Sequence, residues 1–193
     1  MRTRMIAAVL AAVLAAAGCA DGDADTPPTP AGFVRYDGPV YSFAHPADWT
    51  RKPRRNVRGE PEIWLVGPPT ASGAPQGEVL VGGQSEARPY GSQAQRRRFE
   101  LQLGEYRAAS LLTERRIRMD RSTKVPGAEV AHRFEAVGEM STNPGRSVRM
   151  EVIDLYALTE DGVMVNIAVR APEGGGEAAG LPEVLESFRI KEK

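Results

Sequence analysis

The chain contains a single cysteine, Cys19, so no disulfide can form within it. Two histidines, His45 and His132, stand far apart with no second thiol, which leaves out the closely spaced Cys/His sets that hold structural zinc. No metal site and no cofactor are expected. Lys and Arg number 25, and so do Asp and Glu. That balance excludes the strongly basic character of a nucleic-acid-binding chain and implies no acidic partner. No apolar run reaches the ~20 residues that a membrane-spanning helix needs. The longest, from Met5 to Ala17, stops short of that.

What the chain does have is a patterned N-terminus. Arg2 and Arg4 precede the apolar run, Ala16-Ala17-Gly18 close it, Cys19 follows, and polar Ala20-Asp21-Gly22-Asp23 come next. A basic start, a short apolar core and small residues mark a targeting segment. The pattern resembles a bacterial lipoprotein signal, with Ala16 where that family most often has Leu and with Leu14 two places upstream. The resemblance implies that residues 1–18 are removed and that the Cys19 thiol carries diacylglycerol and palmitate. The membrane is then a partner through Cys19, and the chain sits on the extracytoplasmic face of the cell membrane. An ordinary cleaved signal with an incidental cysteine is the alternative. From residue 19 to 31, acids Asp21, Asp23 and Asp25 give way to Pro27, Pro28 and Pro30. Such a segment cannot build a core and favours an extended form of ~3.1 Å per residue, so it reads as a disordered stalk.

The remaining 162 residues, 32–193, suit one domain, which can bury a sufficient core without disulfides or metals. Val40–Ala44, Glu62–Val66 and Glu78–Val81 read as strands, and Ser92 to about Leu112 as a helix burying Phe99, Leu103 and Tyr106. A strand near Arg115–Asp120 leads to a meander. In it Ala128, Val130, Phe134 and Ala136 alternate with charged residues, as do Val148, Met150, Val152, Tyr156 and Leu158, then Val163, Val165, Ile167 and Val169. Asp161-Gly162 is a two-residue hairpin signal that pairs Leu158 with Val165 and places both apolar sets on one dry face. Leu181, Val184, Leu185 and Phe188 mark a last helix, with Pro182 in its first turn. Strands in runs with segregated helices describe an α+β domain, an antiparallel sheet with helices packed on its faces.

Two segments carry a family likeness. Tyr41-Ser42-Phe43-Ala44-His45-Pro46-Ala47-Asp48-Trp49 resembles the aromatic-x-x-Pro-x-x-Trp opening of PsbP-like domains, and Leu181 to Ile190 resembles their closing leucine-x-Ser-Phe helix. The group takes in photosystem PsbP, Mog-type Ran-binding proteins and bacterial lipoproteins, including mycobacterial Lpq-type ones. The resemblance implies an α/β sandwich and a binding or assembly role without shared catalytic residues; photosystem and Ran partners do not transfer.

Among candidate sites, His132 and Asp154 both break a dry face. If Val137 opposes Arg149, His132 lies directly across from Asp154, where like-facing residues are ~5 Å apart. Such a pair serves structure, or catalysis if it opens into a cleft beside a nucleophile. Basic stretches hold Arg54 and Arg55, Arg96 and Arg97, and Arg115 to Arg121, which read as a solvated surface or, with Trp49, as candidate surface or partner contacts; packing in the core is the other role open to Trp49 and Trp64. His45 lacks ligand-spaced neighbours. Three functions compete: a lipid-anchored, non-enzymatic envelope protein that binds a protein or envelope component; a carrier of lipid or another apolar ligand in a sheet-helix cavity; and a hydrolase using His132 and Asp154. Nucleic acid is no partner, and the oligomeric state is open.

Overall fold

A computed structural model describes residues 28–56, 59–82, 92–143 and 146–191. The expected signal segment, Cys19 and most of the expected stalk lie outside the described residues. The chain runs β1 (Phe33–Asp37), β2 (Tyr41–Pro46), β3 (Thr50–Lys52), β4 (Ile63–Val66), β5 (Glu78–Gly82), α1 (Ser92–Leu112), β6 (Arg116–Thr123), β7 (Val130–Asn143), β8 (Arg146–Leu158), β9 (Met164–Pro172), α2 (Leu181–Ser187) and β10 (Arg189–Ile190). Two antiparallel sheets result, one of three strands in the order β1-β2-β10 and one of seven in the order β3-β4-β5-β9-β8-β7-β6. The domain is α+β, as its element pattern predicts. The periodicity read from sequence did not disclose β1, β3 and β10, which are short or, in β3, exposed along their whole length.

The seven-stranded sheet is buried on both faces, and the apolar residues of β8 and β9 divide between them. Ile63, Leu65, Val79, Val81, Leu155, Val165, Ile167 and Val169 meet Tyr41, Phe43 and Ile190 of the small sheet and Leu181 and Val184 of α2. On the opposite face Phe134, Tyr156 and Leu158 pack under Phe99, Leu103 and Tyr106 of α1. The difference from the expected single dry face comes from one turn. Thr159 N–H donates to the Val163 carbonyl (2.9 Å) and Gly162 N–H to Thr159 (3.0 Å), and Gly162 holds φ 82°. A three-residue loop that ends on a left-handed glycine therefore replaces the expected two-residue turn. Leu158 pairs with Met164, and Ala157 with Val165. A one-residue slip exchanges the faces of a strand, so Val165, Ile167 and Val169 turn away from Tyr156 and Leu158 and build the larger core.

The α1 helix ends in a motif that its sequence does not advertise. Arg115 N–H donates to the Ser110 carbonyl (2.9 Å) and Glu114 N–H to Leu111 (3.4 Å), with Glu114 at φ 54°. This pair of bonds closes a helix through a left-handed residue, a position that favours glycine. A side chain there costs roughly 1 kcal/mol. Glu114→Gly therefore raises stability by about 0.5–1 kcal/mol, part of the relief being lost to the freer unfolded chain. Urea unfolding checks this; a stability loss in the variant would show that the Glu114 side chain contributes a contact of its own.

Candidate functional site

Polar groups gather on the α1-facing side of the large sheet, where alternation along β6, β7, β8 and β9 directs Asp120, His132, Asp154, Asn166 and Arg170 to one face. The expected opposition of His132 and Asp154 does not occur. Val137 pairs with Glu151, not with Arg149, so His132 faces Tyr156 while Phe134 faces Asp154. The shift is two residues, which keeps the face but changes the partner. β7 runs seven residues beyond the Ala136 end of its apolar alternation, so the register is set at the far end of the hairpin, outside that alternation.

Instead, His132 Nε2 donates to Asp120 Oδ1 (2.6 Å), which lies diagonally across the β6–β7 ladder. Arg107 of α1 grips the same carboxylate with two nitrogens, at 2.6 and 2.8 Å, while its guanidinium stands 5.4 Å over the Phe134 ring. The Arg107 hydrogen bonds hold the Asp120 carboxyl at about 2, against an opposing effect of desolvation and with help from His132. This charged latch ties α1 to β6 and β7. Ser122 stands opposite His132 in the ladder, but among the described contacts no hydrogen bond joins its hydroxyl to the imidazole.

Asp154 belongs to a second cluster. Its residue exposure is 5%, and burial pushes its carboxyl above the usual carboxylate range, opposed in order by Arg170, Tyr106, Arg115 and Asn166. Burial, and then the charge of Asp154, also raise the Tyr106 and Tyr156 hydroxyls. Along the same face Arg170 Nη1 bonds Glu78 Oε1 (3.1 Å), and Trp64 Nε1 donates to Glu78 Oε2 (3.1 Å). Asp154 Oδ2 and the Tyr106 hydroxyl each lack a hydrogen-bond partner of good geometry. The stacked rings of Tyr106 and Phe134, 4.2 Å apart, lie beside both clusters. His132, 8% exposed, is turned to Asp120, and Asp154, 5% exposed, belongs to the second cluster, so the two do not form the pair on which a hydrolase built on them would rest.

The other sequence candidates separate in the structure. Trp49 is 7% exposed and its indole lies against Gly67 and Gly77, where an added Cβ would come within 2.9 and 2.6 Å of the ring. It is a core residue and not a surface contact. Arg54 is exposed, bonds Glu62 (2.9 Å) and stands 5.4 Å over the Trp64 ring. Arg55 reaches the Gly59 carbonyl. Arg96 pairs with Glu129 across to the sheet end, whereas Arg97 sits on the exposed side of α1. His45 Nδ1 donates to the Pro46 carbonyl (2.9 Å). Among the described residues, no group of three or more His, Cys, Asp or Glu is placed to hold a metal ion.

Sequence reasoning passed over the outer side of α1. Leu101, Leu111 and Leu112 are 67, 82 and 86% exposed, with Ala108 also on this side and Arg97 and Arg98 near its start. At 100° per residue, Leu101, Ala108 and Leu112 fall opposite Phe99, Leu103 and Tyr106. These leucines fall out of phase with the buried set, a signal that was available in the sequence.

The sequence matches no family model and no curated protein. Among solved structures, the chain is similar to cyanobacterial PsbP (CyanoP) from Synechocystis sp. PCC 6803, with 12% identity, TM-score 0.47, and 84% of this chain and 94% of that one covered. It is similar to the Saccharomyces cerevisiae Ran-binding protein Mog1p, with 9% identity, TM-score 0.47, and coverage of 82% and 95%. It is also similar to LpqN, involved in cell envelope biogenesis of Mycobacterium tuberculosis, with 10% identity, TM-score 0.46, and coverage of 83% and 92%. At such identities no partner or residue role carries over.

The latch has a pH signature. The folded pKa of Asp120 lies below its ordinary value of ~3.9, so its contribution is complete above that pH and is lost as pH falls through about 2. Asp120→Asn lowers stability at pH 7 by about 1 kcal/mol, a surface-pair magnitude suited to its partial exposure. Melting curves of the two proteins should converge between pH 4 and 2. A constant gap down to pH 2 would mean that Asp120 acts through shape and not charge.

Proposed function

We propose that this protein is a lipid-anchored cell-envelope protein with a non-enzymatic binding role, and that the outer side of α1 is the surface that engages a protein partner. The exposed leucines carry this reading. A helix that packs its own apolar face and still presents Leu101, Leu111 and Leu112 to water leaves apolar area uncovered, the character of an interaction site. Arg97 and Arg98 stand at the Leu101 end of this side and Glu105 lies between Leu101 and Leu112, so a partner with an apolar centre and charges of both signs at its rim suits it. Burial and separation of His132 and Asp154 support a role without catalysis.

Anchoring rests on the Cys19 pattern and accounts for the acidic, proline-rich residues after it. No described helix is long and apolar enough to cross a membrane. A stalk of eleven residues between Cys19 and Ala31 reaches ~34 Å when extended. That exceeds the ~20 Å between the outer two of the domain's three layers, ~10 Å apart each, and lets the domain turn either face outward.

A photoreactive residue at Leu101 or Leu112 of the membrane-anchored protein should crosslink to the same partner from both positions, and Leu111→Glu should reduce the yield about tenfold. Absence of a common partner, or a yield indifferent to Leu111→Glu, would remove α1 as the contact. Cys19→Ala should abolish labelling by palmitate and release the chain from the membrane fraction; persistent labelling would place the acyl group elsewhere.

A further inference from the structure

Between α2 and the β6–β8 end of the large sheet runs a groove of about 350 Å³, within the size range of small-ligand clefts. Its floor is apolar: Leu155 is buried, Ile153 and Leu185 are half-buried, and all three pack against the larger core. Its walls are cationic. Lys124, Arg133 and Arg189 line it, with Glu186 as the one carboxylate among the lining residues. The deep sheet-helix cavity that a carrier would need is a different feature, since Phe43, Val79, Val165, Ile167 and Val169 fill that space with no exposure.

The cations are placed at some cost. Arg133 lies directly across the β6–β7 ladder from Arg121, and like charges so opposed destabilise a sheet. Glu135 takes one Arg133 nitrogen (2.6 Å), while the buried Nε has no hydrogen-bond partner. Arg189 spends its Nη1 on the backbone carbonyls of Glu186 and Phe188, leaving the Glu186 carboxylate uninvolved in that contact. Its guanidinium is held below the ordinary range by burial first and then by the neighbouring charge of Arg35. An anion entering the groove would relieve both repulsions. A bare anion would leave the apolar floor wet, and an uncharged apolar molecule would leave the cations unanswered.

We propose that this groove binds an anionic amphiphile, its phosphate or carboxylate headgroup on Arg133, Arg189 and Lys124 and its alkyl chain on Ile153, Leu155 and Leu185. The site is independent of the α1 surface and of anchoring at Cys19, because it lies within the folded domain on the face of the sheet away from α1. Headgroup recognition by arginines is charge-assisted, and the low-polarity floor strengthens the attraction.

Both cores are complete between Phe33 and Ile190, so the chain from Ala20 onward, without acylation, is the material for the test. Titration calorimetry with decyl phosphate below its micelle concentration should give saturable one-site binding. Decyl maltoside, which keeps the tail and loses the charge, should bind at least about tenfold more weakly, and so should inorganic phosphate, which keeps the charge and loses the tail. Arg133→Gln and Arg189→Gln should each weaken decyl phosphate about tenfold, with Leu111→Glu leaving it unchanged. Equal affinity for decyl maltoside would overturn the headgroup assignment, and equal affinity for phosphate would overturn the tail assignment. Loss of binding in Leu111→Glu would move the site to α1. Should an arginine variant fail to fold, Lys124→Gln on the exposed rim decides the matter: at least about threefold weaker binding supports the groove, and unchanged binding overturns it.

Discussion

Pairing of β8 with β9 across the Thr159–Val163 turn is the constraint on which the rest of the molecule depends. Its three-residue loop assigns Val165, Ile167, Val169 and Ala171 to the side covered by the small sheet and α2. By the same step Asn166 and Arg170 join Asp154 and Tyr156 beneath α1. Slipping the register by one residue would bury Arg170 in the apolar core and turn Ile167 among the polar groups beneath α1, a cost no surface contact could offset. A left-handed Gly162 permits the loop, so one backbone position governs both interiors.

The two interiors differ in chemistry. Facing the small sheet, the core is aliphatic and aromatic with few polar atoms, and it determines where α2 lies. Under α1, rings of Phe134, Tyr106 and Tyr156 share the face with two charged clusters. Buried polar groups demand partners, and those partners are directional, so this side fixes the orientation of α1 more than it adds to stability. Arg107 on Asp120 shows how: a bidentate grip in the C-terminal half of a long helix permits little rotation. With its inner face so held, α1 presents Leu101, Leu111 and Leu112 outward as a consequence.

Much of the architecture was legible along the chain. Apolar spacing located α1 at Ser92–Leu112, and the pattern along the chain located β6, β8 and β9 to within about three residues and the start of β7, whose far end runs on to Asn143, because these elements bury one stripe or one face at a time. Short elements escaped. β10 is two residues long and β3 is exposed throughout, so neither carries a period to read. His132 and Asp154 stand in apolar phase and are buried, but they do not face each other across the ladder. Partner choice across a ladder depends on loop lengths at both ends, and an error of two residues preserves every pattern while changing every neighbour. Asp120, the group that His132 does meet, stood at a strand end with nothing local to mark it.

By itself the sequence determined the class of the domain, the positions of its main strands and helices, the N-terminal pattern around Cys19 and the absence of a disulfide framework. These are consequences of residue type and local period, which tertiary contacts do not alter. Only the tertiary structure decided that the apolar residues of β8 and β9 divide between the two faces of the large sheet, that His132 binds Asp120 while Asp154 lies in a separate cluster, and that three cations meet an apolar groove beside α2. Each of those facts joins segments distant in the chain, and their meeting is set by register and layer packing, which no single stretch of sequence encodes.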